Sequence, residues 1–488
     1  MYSYTTAIAV LVLGGTLIFW LMRNRNQSKR HRPSVNIKRD PQKTIIPRDK
    51  HPVSRRYIND NALKVINRLN GQGYEAYLVG GCIRDLYLDL HPKDFDVATN
   101  ASPEEVRRLF RNSRLIGRRF KLVHVLFGRE MIEVATFRAS HEQQHHGREK
   151  SRHSESGRIL RDNVYGSMED DAMRRDFTVN ALYYDGRDFS VVDFCNGVDD
   201  IRTGTLRLIG DPVTRYHEDP VRMLRAIRFA AKLNFTMAPE TEQPIRELGH
   251  LLRDIPAARM FDEVLKLLQS GQGVRTFELL REYQLFGPLF PATEHCLQEQ
   301  QEMDNHAFSL IIESLKSTDR RVRQGRPVTP AFLFAALLWA PMRRMARAFM
   351  DQGMPPVPAF QQASMTVITN QCNHTAIPRR FSMMVRDIWD LQIRLERRQP
   401  RLIEGLLEHP KFRAAYDFLV LREQSGENLA SAGQWWTEIQ ELDEHGRHAM
   451  IKSLTSHGGQ KKQGNTRRRR RRKPRNGDAS SAHRSGES

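Results

Sequence analysis

The chain has 488 residues, too many for one compact core, and that length predicts roughly three domains. Its 39% hydrophobic and 27% charged residues exclude a wholly disordered chain, and the net charge of +20 predicts a polyanionic partner, either nucleic acid or anionic lipid. Cys82, Cys195, Cys296 and Cys372 are scattered without CxxC spacing, which excludes a structural zinc knot or a disulfide framework and fits a reducing compartment.

The N-terminal run "TTAIAVLVLGGTLIFWLM", Thr5 to Met22, carries no charge and is followed at once by "RNRNQSKRHR". Its length is near the minimum for crossing a bilayer, and the positive flank would leave the rest of the chain in the cytoplasm. Three readings stand open for residues 1–22: a membrane anchor, a start codon placed too far upstream, or a loose amphiphilic extension. Residues 23–55 are polar, basic and without period, and are read as a linker.

From residue 56 the pattern is that of a small α+β domain. "NDNALKVINRLNGQG" places Leu63, Ile66 and Leu69 at helical spacing between polar caps and Gly71. "YEAYLVGG" is a short strand ending in two glycines, "IRDLYLDL" a helix, and "KDFDVAT" a second strand. In "SPEEVRRLF", Ser102 and Glu105 form a capping box with Pro103 at the first helical position. "FKLVHVLF" and "EMIEVATF" alternate as paired strands about Gly128. The polar stretch between Arg138 and Arg161 shows no apolar period and is read as a loop. The domain is expected to end near Gly210.

After Asp211 the chain turns helical almost without interruption. "DPVRMLRAIRFAAKLNF", "PAARMFDEVLKLLQSG", "AFLFAALLWAPM" and "RRFSMMVRDIWDLQIRLERR" carry apolar residues at intervals of three and four. These give a helical neck over 211–290 and a helical body over 291–455. Residues 456–488, with "KKQGNTRRRRRRKPRNG", are a low-complexity basic tail, expected to be disordered and to follow phosphates without sequence preference.

Two features carry chemistry. In a strand, Asp94 and Asp96 share one face while Phe95 and Val97 turn to the other. Two carboxylates so close repel unless a cation lies between them, and a hard divalent ion takes such oxygen ligands. A lone DxD is more often a surface pair, so its weight comes from "LVGGCIRD" before it. Gly80 and Gly81 at a strand-to-helix turn let backbone N–H groups approach a phosphate, and Arg84 follows one turn later. Together they describe a triphosphate cradle beside a metal site. In "EDPVRMLRAIRF", Asp219, Arg222, Arg225 and Arg228 recur every three residues, opposite Val221, Leu224 and Ile227. That is either a solvated face or a binding face. "HEQQH", 141–145, matches HExxH, but its polar flanks and the lack of a third ligand set a zinc site aside.

"LVGGCIRDLYLDLHPKDFDVATNASPEEVRRLF", "RRDFTVNALYY" and "EDPVRMLRAIRFAAKLNF" resemble the motifs of the nucleotidyltransferase branch that holds bacterial poly(A) polymerases and class II CCA-adding enzymes. "RNSRLIGRRFKLVHVLFG", "TPAFLFAALLW" and "LLEHPKFRAAYDFLVLR" extend the likeness to the bacterial poly(A) polymerases over roughly residues 45 to 440. The resemblance implies an α+β fold: a mixed-sheet nucleotidyltransferase head over 56–210, then the helical neck and body. It implies transfer of AMP from ATP to RNA 3′ ends, with two Mg²⁺ ions (Mn²⁺ as substitute) on Asp94 and Asp96. CCA addition to tRNA is the alternative. A third catalytic carboxylate is placed at Asp176 by motif matching, while strand geometry offers Glu133; Asp176 is preferred. Nucleotide contacts are implied for Gly80, Gly81, Arg84, Arg175, Asp219, Arg222, Arg225 and Arg228, with Asp219 and Arg222 beside the base. Expected partners are RNA 3′ ends, ATP, RNA-decay proteins and, through residues 5–22, the inner face of the cytoplasmic membrane.

Overall fold

The computed structural model describes residues 43–117, 121–139, 152–153, 159–161, 164–299 and 306–457. The apolar start, most of the presumed linker, "HEQQH" and the Arg-rich run lie outside the described residues. Among those described, no helix is long and apolar enough to cross a membrane.

The described residues hold twelve short strands, all but the last at or before the end of the head: β1 (Thr44–Ile46), β2 (Ala76–Val79), β3 (Asp96–Thr99), β4 (Ser113–Ile116), β5 (Leu122–Phe127), β6 (Glu130–Thr136), β7 (Arg152–His153), β8 (Ile159–Arg161), β9 (Leu182–Asp185), β10 (Val191–Asp193), β11 (Thr205–Leu206) and β12 (Thr236–Met237). Eight form one mixed sheet in the order β1-β10-β9-β2-β3-β6-β5-β4. Its only parallel pair is β3 with β6, in the register Asp96 to Glu133 and Val97 to Val134. The crossover between them carries α3 (Pro103–Leu109), β4 and β5.

One sheet face is covered by α1 (Asp60–Asn70), whose N-terminus is capped by the Asn59 side chain accepting from the Asn61 and Ala62 N–H groups. Leu63, Ile66 and Leu69 are buried there beside Leu78, Val97 and Val134. α3 joins the same layer, its Ser102 and Glu105 forming the expected reciprocal cap. The other face holds a smaller core of Tyr77, Val79, Ala98, Phe137 and Tyr183, and next to it the polar site.

Two expectations are corrected. Thr44–Ile46, placed in the linker, is the edge strand β1, paired antiparallel with β10. The stretch read as a loop between Arg138 and Arg161 contains the antiparallel pair β7 and β8. Both are two or three residues long, too short for an alternating pattern to stand out.

Beyond β12 every element is helical. The principal core nevertheless runs without a break from Val53 in the head through Leu224 and Phe277 to Phe418 in the body. A separate core of Leu395, Ile403, Phe412, Leu419 and Trp436 closes the far end.

Candidate active site

The site is set by register. Val79, Asp96, Glu133 and His124 are consecutive cross-strand partners on β2, β3, β6 and β5. Directly opposed residues share a sheet face, so the two carboxylates and the imidazole stand in one row. Asp94 lies two residues before Asp96, and the intervening Phe95 is buried while both aspartates reach solvent. Glu133 Oε2 is 3.5 Å from His124 Nε2. Asp96 is reachable from solvent yet walled by its neighbours: partial dehydration and then Glu133 push its pKa up to about 6, against the pull of Arg175 and with a further push from Asp94.

That crowding fits a divalent cation. The donor set is all hard oxygen. Among the described residues neither Asp94 nor Asp96 has a side-chain hydrogen bond to quench its charge. The described residues contain no group of three ligand-type side chains already closed to coordinating distance, so the three acids are gathered but not locked.

The cradle adjoins this row. β2 ends at Val79, and Gly80 caps α2 (Gly81–Tyr87) with φ 84° and ψ −134°, a conformation that a side chain does not tolerate. A Cβ there would also stand 3.3 Å from a guanidinium nitrogen of Arg175. Arg175 is held by the Tyr183 hydroxyl at 3.0 Å and by Asp171 at 3.0 Å, and Tyr183 donates in turn to Asp171 at 2.7 Å. This places a braced cation between the glycines and Asp96.

Arg84, expected at the nucleotide, lies against Gly81. It is 3% exposed, donates through Nε to Asp85 at 2.8 Å and through Nη1 to the Asn180 side chain, and lies over the Phe229 ring. Its donors are spent inside the protein, so it braces the base of the cradle.

The neck meets the head at Asp176. α4 (Met168–Arg174) ends just before it, and the next α-helix, α5 (Gly197–Thr203), packs on the turn Thr178–Asn180 that follows it. α6 (Pro212–Glu218) and α7 (Val221–Leu233) then bring up the arginines. Asp176 Oδ1 accepts from Arg222 Nε at 3.1 Å and Oδ2 from Arg225 Nη1. Burial alone would raise the pKa of this carboxyl, but Arg225 and Arg222 outweigh it and hold it below the usual range. The Asp176 charge is thus already matched by two arginines, whereas Glu133 stands beside Asp96.

The face that recurs every three residues is not a solvated one. Arg222 is 7% exposed and also donates through Nη1 to Glu218 at 2.9 Å and to the Arg215 carbonyl at 2.7 Å. Asp219 accepts from Arg259 Nη2 at 2.8 Å. Arg228 is half-buried over the Phe229 ring. Arg215, Glu218 and Arg259 escaped the sequence reading: Arg215 donates to the carbonyls of Arg174 and Arg175 at 2.6 and 2.9 Å, and no local pattern signals contacts so distant in sequence.

Residues 76–207 match the family described as Poly A polymerase head domain, 234–297 that described as probable RNA and SrmB-binding site of polymerase A, and 352–476 that described as polymerase A arginine-rich C-terminus. The chain is 52% identical to Poly(A) polymerase I of Salmonella typhimurium over 85% of its length and 89% of that protein. The CCA-adding enzyme of Lactobacillus helveticus is 36% identical over 54% of this chain and 65% of that one. Among solved structures, the Bacillus stearothermophilus CCA-adding enzyme in complex with CTP superposes with a TM-score of 0.50 at 25% identity, covering 77% of this chain and 80% of that one.

Proposed function

The chain belongs to the poly(A) polymerase I family, and on that premise we propose that the cradle and the carboxylate row transfer AMP from ATP to the 3′ end of RNA without a template. The carrying observation is the likeness to Poly(A) polymerase I at 52% identity across head, neck and body; the CCA-adding relative is less similar and spans a smaller share of the chain.

Divalent ions, two Mg²⁺ with Mn²⁺ as substitute, would be held by Asp94, Asp96 and Glu133 and would supply charge neutralisation and activation of the RNA hydroxyl. The protein's part is positioning, since phosphoryl transfer leaves little covalent chemistry for side chains. Gly80 and Gly81 admit the triphosphate to within reach of backbone N–H groups, and Arg175 faces the same phosphates from its fixed bracket. The 3′-hydroxyl oxygen gives its proton to solvent and forms a bond to the α-phosphorus as the bond to the oxygen bridging to the β-phosphorus breaks, and pyrophosphate leaves with the displaced electron pair. Asp219 and Arg222 stand where the neck meets the head and are assigned to the base, Arg222 through Nη2, since Asp176, Glu218 and the Arg215 carbonyl take its other donors; Arg225 and Arg228 follow on the same helix.

RNA is assigned to the neck and body, supported by the match of 234–297 to a family described as a probable RNA and SrmB-binding site, and RNA-decay proteins are proposed as further partners. Residues 5–22 are assigned to contact with the inner face of the cytoplasmic membrane. Co-sedimentation with membranes should be lost on deleting residues 1–22, and unchanged sedimentation would remove that assignment.

The test of the reaction is incubation of the protein with an unstructured RNA, Mg²⁺ and each nucleoside triphosphate separately. A long ladder with ATP alone supports the polymerase. Extension that halts after a few additions and requires CTP would replace it with CCA addition.

A further inference from the structure

In the body, a cleft of about 260 Å³ opens between the helix Pro356–Cys372, the helix Arg379–Arg397 and the turn Pro400–Leu402. It is remote in sequence from every residue of the active site. Its lining combines Phe360, Gln361, Asp390, Arg394, Arg397 and Leu402.

Several arginines of the body are matched by carboxylates: Arg343 by Glu427, Arg344 by Glu299, Arg347 by Asp351, Arg413 by Asp417. Arg394 and Arg397 are exposed, and among the described residues neither guanidinium has a hydrogen bond or an ion pair. Phe360 is half-buried and set edge-to-face against Trp339, ring centroids 6.0 Å apart, so its orientation is fixed before anything binds. Leu402 is 40% exposed beside it. Asp390 is half-buried near Arg394.

We propose that this cleft is a second RNA subsite, remote from the reaction centre, that stacks one base of single-stranded RNA on Phe360 and Leu402 and pairs the adjoining phosphates with Arg394 and Arg397. The geometry orders the ligand. A phosphate is repelled by Asp390 and stays at the arginine rim, while an aromatic base matches the apolar wall. Asp390 and Gln361 offer acceptors to an exocyclic amino group, which adenine has and hypoxanthine lacks. The ligand is therefore an amino-bearing nucleotide within a strand, and the tail that the enzyme itself makes meets that description. Such a hold on RNA upstream of the 3′ end would keep the product bound between additions.

The proposal rests on the reading of the chain as an RNA 3′-end polymerase, and its experiment separates the two. The full chain, wild type and R394Q/R397Q, is assayed for extension and for binding of a short and a long single-stranded RNA across a salt series. Failure of the wild type to extend RNA with ATP would undo the polymerase reading. With extension intact, the variant is expected to lose about ten-fold in affinity for long RNA and none for short RNA. Its salt slope should fall by about 1.4, at ~0.7 per phosphate of a single strand. R394K/R397K should restore the slope. RNA with inosine upstream of an adenosine 3′ end should bind the wild type as weakly as adenylate RNA binds the variant. An unchanged slope, or an equal loss on short and long RNA, would overturn the subsite. Inosine RNA binding as tightly as adenylate RNA would overturn the base contact.

Discussion

Glu133 and Asp176 compete for one role, and their surroundings separate them. Glu133 shares a cross-strand pair with Asp96, while Asp176 gives one oxygen to Arg222 and the other to Arg225. Glu133→Gln should cut nucleotide addition on the order of 100-fold or more with little change in melting temperature, as expected when a charge in the reacting centre is removed. Asp176→Asn should instead cost about 3 kcal/mol of stability, because two partly buried guanidinium groups lose their counter-charge. Since Arg225 and Arg222 depress its pKa, that stabilisation is present above the ordinary carboxylate value of 3.8 and is lost as pH falls through the lower folded value. Paired melting curves and rates decide it: a stable but inactive Asp176→Asn beside an active Glu133→Gln would return the third carboxylate to Asp176. The sequence made the turn at the glycine pair and the strand from Asp96 legible because their signals are local, and Asp94 lies just ahead of that strand. It left Asp176 ambiguous because a carboxylate in a motif looks the same whether its partner is a cation from solution or an arginine some fifty positions away.

The helix Arg379–Arg397 has a double task. Its Trp389 donates to the Ala335 carbonyl at 3.1 Å in the principal core, and its Leu395 carbonyl accepts from Trp436 at 2.8 Å in the distal one. Between them, fully buried Arg422 donates to Gln392 at 2.9 Å, to Glu396 at 2.6 Å and to both oxygens of Glu427 at 2.8 Å, and lies over the Trp339 ring. Burial works against the charge of Glu427, but Arg422 and Arg343 outweigh it and its pKa is lowered. Glu427→Gln should therefore destabilise the body by about 3 kcal/mol at neutral pH. The gap should hold above the ordinary glutamate value of 4.5 and close as acid protonates the wild type, since the unfolded chain binds its proton first. A gap in melting temperature that is the same at pH 4 and pH 7 would contradict the pairing. Capped and strongly periodic elements such as α1 and α3 were legible in the sequence, since their signals lie within four residues. β1 was not: a three-residue edge strand is defined by its partner β10 and carries no pattern of its own.

Across the whole molecule, charge is distributed in two forms. In the folded part some arginines are matched by carboxylates and others, the pair in the cleft among them, are not. Arg467 to Arg472 form a continuous run in the tail. A run of like charge binds phosphates by releasing counterions and reads no base, so it adds affinity to every RNA alike. A truncated chain ending at His457 should lose affinity for short and long RNA together. Its salt slope should fall by up to about 4, at ~0.7 for each of the neutralised phosphates. The cleft, by contrast, acts on long RNA alone. Because the two sets of arginines engage different phosphates, truncation and R394Q/R397Q should reduce the slope additively on long RNA, as independent sites do. Titrations of the four proteins over a common salt series measure this. If truncation alone removes the whole slope and the cleft variant adds nothing to it, the tail is the sole electrostatic contact, and the body holds RNA by shape and stacking without charge.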